Sequence, residues 1–338
     1  MNVWMLGSSV VVLLLMLWGI HWRKKHRTRP LVGGIDRTVS LPHTDSVELY
    51  SNSFSHCSRK VRLVLAELRV PYKHHAIDLI ETGQYQTVSD AYIGVNPAGL
   101  VPTLVHDGHP IYESDDILEY AQSMAGVQAP QLVPHDAKLR AQMHHWLDFC
   151  AIVSADLMGG MKERAGACIP GLTMPMFMAC IRYIPLRRIL VGFFNHPTWR
   201  SPLLFSAFKV VGMRNMMAVK PLADLVHTSR DHMLEHLETI EQTLLEDNRP
   251  WILGDQFSLA DVSIGCMLLR LDESGWLSRM EQTVSIERVR DYYTRLQARA
   301  SWEQAIVAHE HPIVNQGAVD LRELTGLDPA LGEKIYGL

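Results

Sequence analysis

The segment Ser53-Phe54-Ser55-His56-Cys57-Ser58-Arg59-Lys60-Val61-Arg62 lies between a predicted strand, Val47–Tyr50, and a predicted helix with helically spaced apolar residues over Val61–Leu68. A strand-to-helix loop places side chains and free N–H groups at the positive end of a helix. A thiolate is stabilised there, whether it belongs to Cys57 or to a bound ligand, and the Ser55 hydroxyl can donate a hydrogen bond to it. The alternative is that Cys57 is a small buried hydrophobic residue and that the serines only cap the helix.

Two further segments combine a turn with an ordered element. Asn96-Pro97-Ala98-Gly99-Leu100-Val101-Pro102-Thr103-Leu104 has the pattern of a loop that enters a strand, where Pro102 at the strand start costs no ladder hydrogen bond. Tyr112-Glu113-Ser114-Asp115-Asp116-Ile117 runs from a strand into a helix. Glu113 and Ser114 at that helix start could bind a ligand that carries both an amine and a carboxylate. Helix capping is the alternative explanation for both residues.

The remaining pattern predicts an α/β unit followed by a helical unit. We expect a short strand at 74–79, a hairpin through Asp107-Gly108 and a helix at 114–122, which gives the order β-α-β-(α)-β-β-α. After residue 134 the pattern is helical only, and Ser258-Leu259-Ala260-Asp261 has the form of an N-terminal capping box. The predicted helices are His135–Met158, Leu222–Glu246, Leu259–Leu271 and Ile286–Ala298.

Composition narrows the class of protein. The chain has 338 residues, enough for two domains, and its 47% apolar and 20% charged residues are typical of globular proteins. A net charge of −4 gives no global field that attracts nucleic acid, so we expect no nucleic-acid partner. Five irregularly spaced cysteines form a poor disulfide framework and fit a reducing compartment. His74-His75, His144-His145 and His309-Glu310-His311 lack the i, i+4 spacing of a helical metal site, so we expect no metal.

The first thirty residues differ from the rest of the chain. No charged residue occurs from Val3 to Trp22, and 20 helical residues at ~1.5 Å each reach ~30 Å, the thickness of a bilayer's hydrocarbon core. The basic run Arg23–Arg29 follows, whereas a cleavable signal peptide carries its positive charge first. We therefore expect a retained single-pass transmembrane helix, with the other residues on the cytoplasmic side. The alternative is a buried core helix.

Together and in this order, the three loop segments resemble the glutathione-binding domain of the glutathione S-transferases, which has a thioredoxin-like fold. The resemblance covers residues 46–124 and resumes at 222–305, in the all-helical second domain of that family. There, Phe257-Ser258-Leu259-Ala260-Asp261 looks like the recurrent capping motif of the second domain. The resemblance implies an α/β thioredoxin-like domain, an all-α domain, and glutathione as the cosubstrate.

The same resemblance implies roles for individual residues. Ser55 and Cys57 would occupy the catalytic loop, and Val101 would bond the glutathione backbone. Pro102 would be the cis-proline of the family. Glu113 and Ser114 would hold the γ-glutamyl group.

The Ser-x-Cys-Ser pattern of the loop is similar to the zeta class, the maleylacetoacetate isomerases, and to bacterial tetrachlorohydroquinone reductive dehalogenases. In the first pattern Ser55 polarises glutathione, and in the second Cys57 exchanges with a glutathionylated aromatic compound. The continuation Arg59–Val64 also resembles the ganglioside-induced differentiation-associated proteins, which are membrane-anchored and have a long insertion in the helical domain. His56 and the insertion depart from the zeta pattern.

These inferences define an expected organisation. It comprises an anchor with a basic flank at 1–29, a linker at 30–45, the glutathione-binding domain at 46–124, the helical domain at 125–312 with an apolar insertion at about 155–220, and a C-terminal tail at 313–338. The insertion is either helical core or a segment that lies on membrane lipid.

The expected function is that of a membrane-anchored, homodimeric glutathione transferase acting on a hydrophobic electrophilic small molecule. Conjugation, reductive dehalogenation, ether cleavage and isomerisation all remain open. The alternative is a non-catalytic adaptor that keeps the fold and binds lipid.

Overall fold

A five-stranded sheet organises the N-terminal domain in the computed structural model, which describes residues 19, 22, 24, 26–152 and 156–337. The strand order is β1-β5-β4-β2-β3, and β2 pairs in parallel with β3 but antiparallel with β4. The strands are β1 (Gly34–Ile35), β2 (Val47–Ser51), β3 (Lys73–Ala76), β4 (Thr103–His106) and β5 (His109–Tyr112). The helices of this domain are α1 (His56–Glu67), α2 (Asp90–Ile93) and α3 (Ser114–Met124), with 3₁₀ turns at Ile80–Thr82 and Gln86–Val88.

The β4–β5 hairpin turns at the predicted Asp-Gly pair. Asp107 has a φ of 49° and Gly108 a φ of 82°, the left-handed pair that a two-residue hairpin turn of this chemistry requires. On the other side of β5, the predicted linker contributes β1, which pairs antiparallel with β5 so that Gly34 lies opposite Tyr112. The N-terminal segment therefore covers what would otherwise be an open sheet edge.

The second half of the chain is helical, as predicted. Its first helix begins at an Asp136 cap, and the capping box at Ser258 is present: the Ser258 N–H donates to Asp261 Oδ2 at 2.8 Å. The helices are α4 (Ala137–Phe149), α5 (Leu157–Gly160), α6 (Ala165–Ile181), α7 (Leu186–Asn195), α8 (Arg200–Val211), α9 (Lys220–Leu245), α10 (Leu259–Glu273), α11 (Leu277–Met280), α12 (Glu287–Gln297), α13 (Ala300–Ala305), α14 (Pro312–Leu327) and α15 (Pro329–Tyr336). Further 3₁₀ turns lie at Met213–Ala218, Glu246–Asn248 and Val307–His309.

The insertion contributes the central helix of this domain. Nearly all residues of α6 are buried, because α6 packs against α9 on one side and α14 on the other. The indole N–H of Trp276 donates to the carbonyl of Leu172 at 2.8 Å, and Phe177 packs edge-on against Phe54 of the N-terminal domain at 5.6 Å between ring centroids. The most apolar stretch of the insertion is thus part of the core.

The segment from 313 onward, described from the sequence only as a tail, forms α14 and α15. Gly317 of α14 lies so close to α6 that an added Cβ would stand 2.8 Å from the Cys180 sulfur. This close approach requires a residue without a side chain, and it allows α14 to cover α6 along its length.

The prediction of a transmembrane helix is wrong. Within the described part of the chain, no helix is both long enough and apolar enough to cross a membrane. Apart from Gly19 and Trp22, the apolar run at 3–22 lies outside the described residues. Lys24, assigned above to a basic membrane flank, is buried: its ammonium donates to the Phe193 carbonyl at 2.9 Å and lies 3.8 Å from the centroid of the Trp199 ring. The single-pass membrane localisation with cytoplasmic domains, and the membrane-lipid partner, depended on that helix and are withdrawn with it.

Candidate active site

The loop at 52–55 connects β2 to α1 and is held by the side chain of Asn52. Its carbonyl oxygen accepts hydrogen bonds from the N–H groups of Phe54 at 2.8 Å and Ser55 at 3.0 Å. Its amide donates to the carbonyl of Ile77 at 2.8 Å, which ties the loop to the chain that follows β3. β3 ends at Ala76, directly before this contact and short of the predicted Leu79.

Ser55 and Ser58 have different roles in this loop. Ser55 is the N-cap of α1, and its hydroxyl accepts a hydrogen bond from the Ser58 N–H at 3.3 Å. Ser58 is fully buried, and its hydroxyl accepts from the Asn52 N–H at 3.1 Å. Ser55 remains partly exposed, so its hydroxyl can also reach a ligand at the positive end of the helix.

Cys57 is a free, partly exposed thiol in the first turn of α1. One turn further along the helix, Lys60 is buried and forms an ion pair with Asp115 of α3. Burial alone would lower the pKa of Lys60, but the neighbouring Asp115 and Cys57 groups raise it. Lys60 thus places a buried ammonium one helical turn from Cys57.

The second predicted segment forms a tight turn at the start of β4. The Val101–Pro102 peptide bond is cis; Pro102 is buried and Val101 is partly exposed. The Asn96 side chain holds the turn by donating to the carbonyl of Leu100 at 3.0 Å and to the Thr103 hydroxyl at 2.8 Å. The backbone at Val101 consequently lies just before β4, at the end of the strands, where an extended ligand can pair with it.

The third predicted segment starts α3. Glu113 is the N-cap residue and has a φ of 62°, yet its side chain makes no capping hydrogen bond. The Glu113 side chain is exposed and Ser114 is partly exposed. Capping therefore does not account for the Glu113 carboxylate, which is available to a ligand together with the N–H groups of the helix start.

The sheet brings these three segments together. Because β4 is antiparallel to both β2 and β5, the end of β2, the start of β4 and the end of β5 lie next to one another at the same end of the sheet's strands. The pairing of Tyr50 with Thr103 and of Leu104 with Ile111 fixes that alignment. All six residues singled out in the sequence belong to these three chain ends: Ser55, Cys57, Val101, Pro102, Glu113 and Ser114.

His56, which departs from the zeta pattern, points into the protein interior. Burial lowers its pKa well below the usual range, and the positive charges of Lys60, Arg270 and Arg59 lower it further. The imidazole is therefore neutral at physiological pH. It does not share the partly exposed position of its neighbours Ser55 and Cys57.

Sequence reasoning missed the guanidinium groups around this loop. Arg59 and Arg62 of α1 are buried, although charged residues on a short helix would ordinarily indicate a solvated face. Arg270, from α10 of the helical domain, donates to the Phe54 carbonyl and lies 3.6 Å from the centroid of the Phe54 ring. Arg270 and Phe54 are 216 positions apart, so no local sequence pattern indicates their contact. The only signal was Arg270 itself, because an arginine within the apolar sequence of α10 needs a polar partner.

A cavity of about 490 Å³ lies beside the loop, on the side of the helical domain. Ser53 and Arg59 line one end, and its apolar wall includes Met176, Trp302 and Val314. No group of three His, Cys, Asp or Glu side chains suited to a metal ion occurs among the described residues.

Comparison with known proteins agrees with this architecture. The family model described as "Glutathione S-transferase, N-terminal domain" matches residues 54–124, and "Glutathione S-transferase, C-terminal domain" matches residues 223–295. The solved structure of the β-etherase LigF from Sphingobium sp. strain SYK-6 superposes with a TM-score of 0.60 at 20% identity, covering 78% of this chain and 100% of LigF. Glutathione transferase F7 from Populus trichocarpa superposes with a TM-score of 0.53 at 17% identity, covering 78% and 99%. At these identities the structural likeness shows the fold alone.

Two curated relatives are similar in sequence. Maleylacetoacetate isomerase of Dictyostelium discoideum is 45% identical over 74 residues, which is 22% of this chain and 33% of the isomerase. Glutathione S-transferase TCHQD of Arabidopsis thaliana is 24% identical over 263 residues, 77% of this chain and 89% of the relative. The chain thus spans a third of the length of the first relative and most of the second.

These matches bear on the expected class of enzyme. The prediction of a glutathione transferase-type enzyme is confirmed at the level of the family. Both family matches lie in chain order, on a thioredoxin-like domain followed by a helical one, so the chain is similar to the glutathione S-transferases in both of its domains.

Proposed function

We propose that this chain uses the thiolate of glutathione on a hydrophobic electrophile, with Ser55 and Cys57 as the catalytic residues. The observation that carries the proposal is the partial exposure of both side chains at the N-terminus of α1, at the same end of the strands as Val101 and Ser114. The other serine of the motif, Ser58, is buried and engaged with the loop backbone. A purely structural role would not require Ser55 and Cys57 to remain accessible.

The geometry of the three segments supports one mode of glutathione binding. The tripeptide pairs in extended form with the backbone of Val101, which the cis bond to Pro102 holds at the start of β4. Its γ-glutamyl ammonium meets the exposed Glu113 carboxylate, and its γ-glutamyl carboxylate meets Ser114 and the N–H groups at the start of α3. The thiol then extends toward the N-terminus of α1. No metal takes part in this scheme.

The chemistry takes one of two forms. In conjugation, the Ser55 hydroxyl donates a hydrogen bond to the glutathione thiolate, which forms a C–S bond with the electrophile as the leaving group departs with its electron pair. In exchange, the Cys57 thiolate attacks the sulfur of a glutathionylated product, so a Cys57–glutathione disulfide forms while the carbon leaves with the electron pair and takes up a proton. A second glutathione thiolate then releases Cys57 and yields glutathione disulfide.

Within the family we propose conjugation or thiol exchange of the dehalogenase kind. The TCHQD relative, similar over most of its length, and the Cys57 thiol beside Lys60 support exchange. Isomerase activity has weaker support, because the isomerase likenesses cover 74 to 95 residues and His56 and the insertion depart from that class. LigF is a β-etherase, so ether cleavage is a further reaction to assay. The non-catalytic adaptor is the second candidate, and the exposed side chains at the site favour the enzyme over it.

The experiment compares Ser55→Ala with Cys57→Ser in single-turnover mixtures of glutathione and a halogenated aromatic compound, followed by mass spectrometry. If Ser55 polarises glutathione, Ser55→Ala slows every glutathione reaction and Cys57→Ser has little effect on conjugation. If Cys57 exchanges, Cys57→Ser stops after conjugation and the glutathione–substrate adduct accumulates, because a hydroxyl does not attack a thioether usefully at neutral pH. Full turnover in both variants would refute both roles.

We further propose a homodimer and a domain boundary between residues 124 and 125, with the glutathione-binding domain at 46–124 and the helical domain from 125 onward, including α14 and α15. Light scattering of the purified chain measures the first. Limited proteolysis tests the second, because cleavage is expected near the exposed Val127 between α3 and α4.

A further inference from the structure

The backbone carbonyls of the catalytic loop face three buried guanidinium groups. The Asn52 carbonyl accepts from Arg62 at 2.9 Å, and the Ser53 carbonyl accepts from Arg59 at 2.9 Å. Two of these arginines come from α1 itself. The third group, described above, is Arg270 at the Phe54 carbonyl, and it comes from the helical domain.

One carboxylate orients two of the three guanidinium groups. Glu273, one turn after Arg270 on α10, accepts both terminal nitrogens of Arg59, at 2.8 and 2.6 Å. Arg270 lies 3.3 Å from the same carboxylate. Because the Arg59 pair is bidentate and the Arg270 side chain is only 3% exposed, the three side chains form one rigid unit across the domain boundary.

From this arrangement we propose that Arg270 and Glu273 are positioning residues for thiol activation: they hold the Phe54–Ser55 backbone so that the helix start and the Ser55 hydroxyl face the glutathione sulfur. The inference rests on the function proposed above. Neither residue touches glutathione; each acts through the loop. The helical domain thereby sets the reactivity of a thiol bound to the other domain.

The other charges near the loop do not replace this unit. Lys60 is paired with Asp115 on the α3 side, and His56 is buried and neutral. Glu81, in the 3₁₀ turn that follows β3, is buried, and burial raises its pKa to about 7. Three guanidinium groups and one carboxylate therefore leave an excess of positive charge at the loop, which favours a thiolate over a thiol.

The test measures the thiol pKa of enzyme-bound glutathione from thiolate absorbance against pH. We expect Arg270→Met to raise that pKa by about one unit. The Ser55 hydroxyl is displaced as a hydrogen-bond donor and the positive charge of Arg270 is lost, and both changes destabilise the thiolate. Below the new pKa, kcat falls about tenfold while the Kd for glutathione changes little, since the thiolate fraction falls and the γ-glutamyl contacts remain. Arg270→Lys should recover part of the shift.

Arg299→Met is the matched control. Arg299 also forms a bidentate ion pair across the domain boundary, with Glu67 at 2.6 and 2.7 Å, but at the opposite end of α1 from the loop. Its loss should lower stability without moving the thiol pKa. Equal shifts in Arg299→Met and Arg270→Met would show a general loosening of the domain interface and overturn the proposal.

Glu273→Gln separates positioning from charge, and it decides the question if Arg270→Met fails to fold. Removing the carboxylate adds net positive charge, so charge alone predicts a lower thiol pKa, whereas loss of orientation predicts a higher one. A lower or unchanged value would overturn the positioning role. Absence of any thiolate signal from glutathione in the wild-type protein would instead count against the proposed function itself.

Discussion

Replacing Glu81 with glutamine should stabilise the protein at alkaline pH. Glu81 is buried, and burial raises its pKa from 4.5 to about 7, partly offset by the positive charge of Arg270. The difference of about 2.5 pH units corresponds to roughly 3 kcal/mol of stability. The folded state holds the proton more tightly, so this contribution is fully present below pH 4.5 and is lost as the pH rises through about 7. An uncharged glutamine of the same shape avoids that loss.

Urea unfolding at pH 5 and pH 8, followed by tryptophan fluorescence, measures the effect. We expect Glu81→Gln to exceed the wild type by about 2–3 kcal/mol at pH 8 and by much less at pH 5. The control is Glu48→Gln. Burial would raise the pKa of Glu48, but hydrogen bonds from the N–H groups of Thr44 and Asp45 and from His75 lower it to about 2.

The contribution of Glu48 is present above pH 4.5 and is lost as the pH falls through about 2, so its replacement should destabilise the protein at both test values. At pH 8 the two replacements are therefore expected to change the free energy of unfolding in opposite directions. A Glu81→Gln variant no more stable than the wild type at pH 8 would refute the reasoning.

Three further predictions concern other parts of the structure. Glu113→Ala and Ser114→Ala should each weaken glutathione binding by roughly 1–3 kcal/mol in isothermal titration, and unchanged affinity in a folded double variant would show that the γ-glutamyl group binds elsewhere. Asp115→Asn leaves the buried Lys60 ammonium without its carboxylate and should cost about 2–4 kcal/mol in urea unfolding, with part recovered by adding Lys60→Met. Deleting residues 1–36 removes β1 from the edge of β5 and should lower Tm by about 2–4 °C and promote association in light scattering; an unchanged monodisperse protein would contradict this.

The parts of the site that the sequence predicts are those with local chemistry. Asp107-Gly108 requires a tight hairpin, and Ser55 before a helical pattern indicates a cap; both are found, with α1 starting at His56. The capping box at Ser258–Asp261 is likewise local, and it is completed by a bond from the Tyr292 hydroxyl to Asp261 at 2.8 Å that no nearby residue signals.

The parts that sequence reasoning missed depend on distant partners. Arg59, Lys60 and Arg62 have the composition of a solvated helix face, but Glu273, Asp115 and the loop carbonyls satisfy their charges inside the protein. The same limitation affected the N-terminal segment. In the sequence, Lys24 is one of several basic residues next to an apolar run, which is typical of a membrane flank. Its actual partners, Phe193 and Trp199, are 169 or more positions away.

The packing of α6 has a consequence for how the chain is made in the cell. Its apolar surface is complete only when α9 and α14 lie against it, and α14 is supplied by residues 312–327, close to the end of the chain. While that stretch is still inside the ribosome, the nascent helical domain presents an uncovered apolar helix to chaperones. The N-terminal domain can form earlier, because all strands of its sheet have been synthesised once the chain reaches Tyr112. Messages truncated between residues 273 and 312 should therefore yield products that quality control recognises and degrades, even though every residue proposed for the active site is present in them.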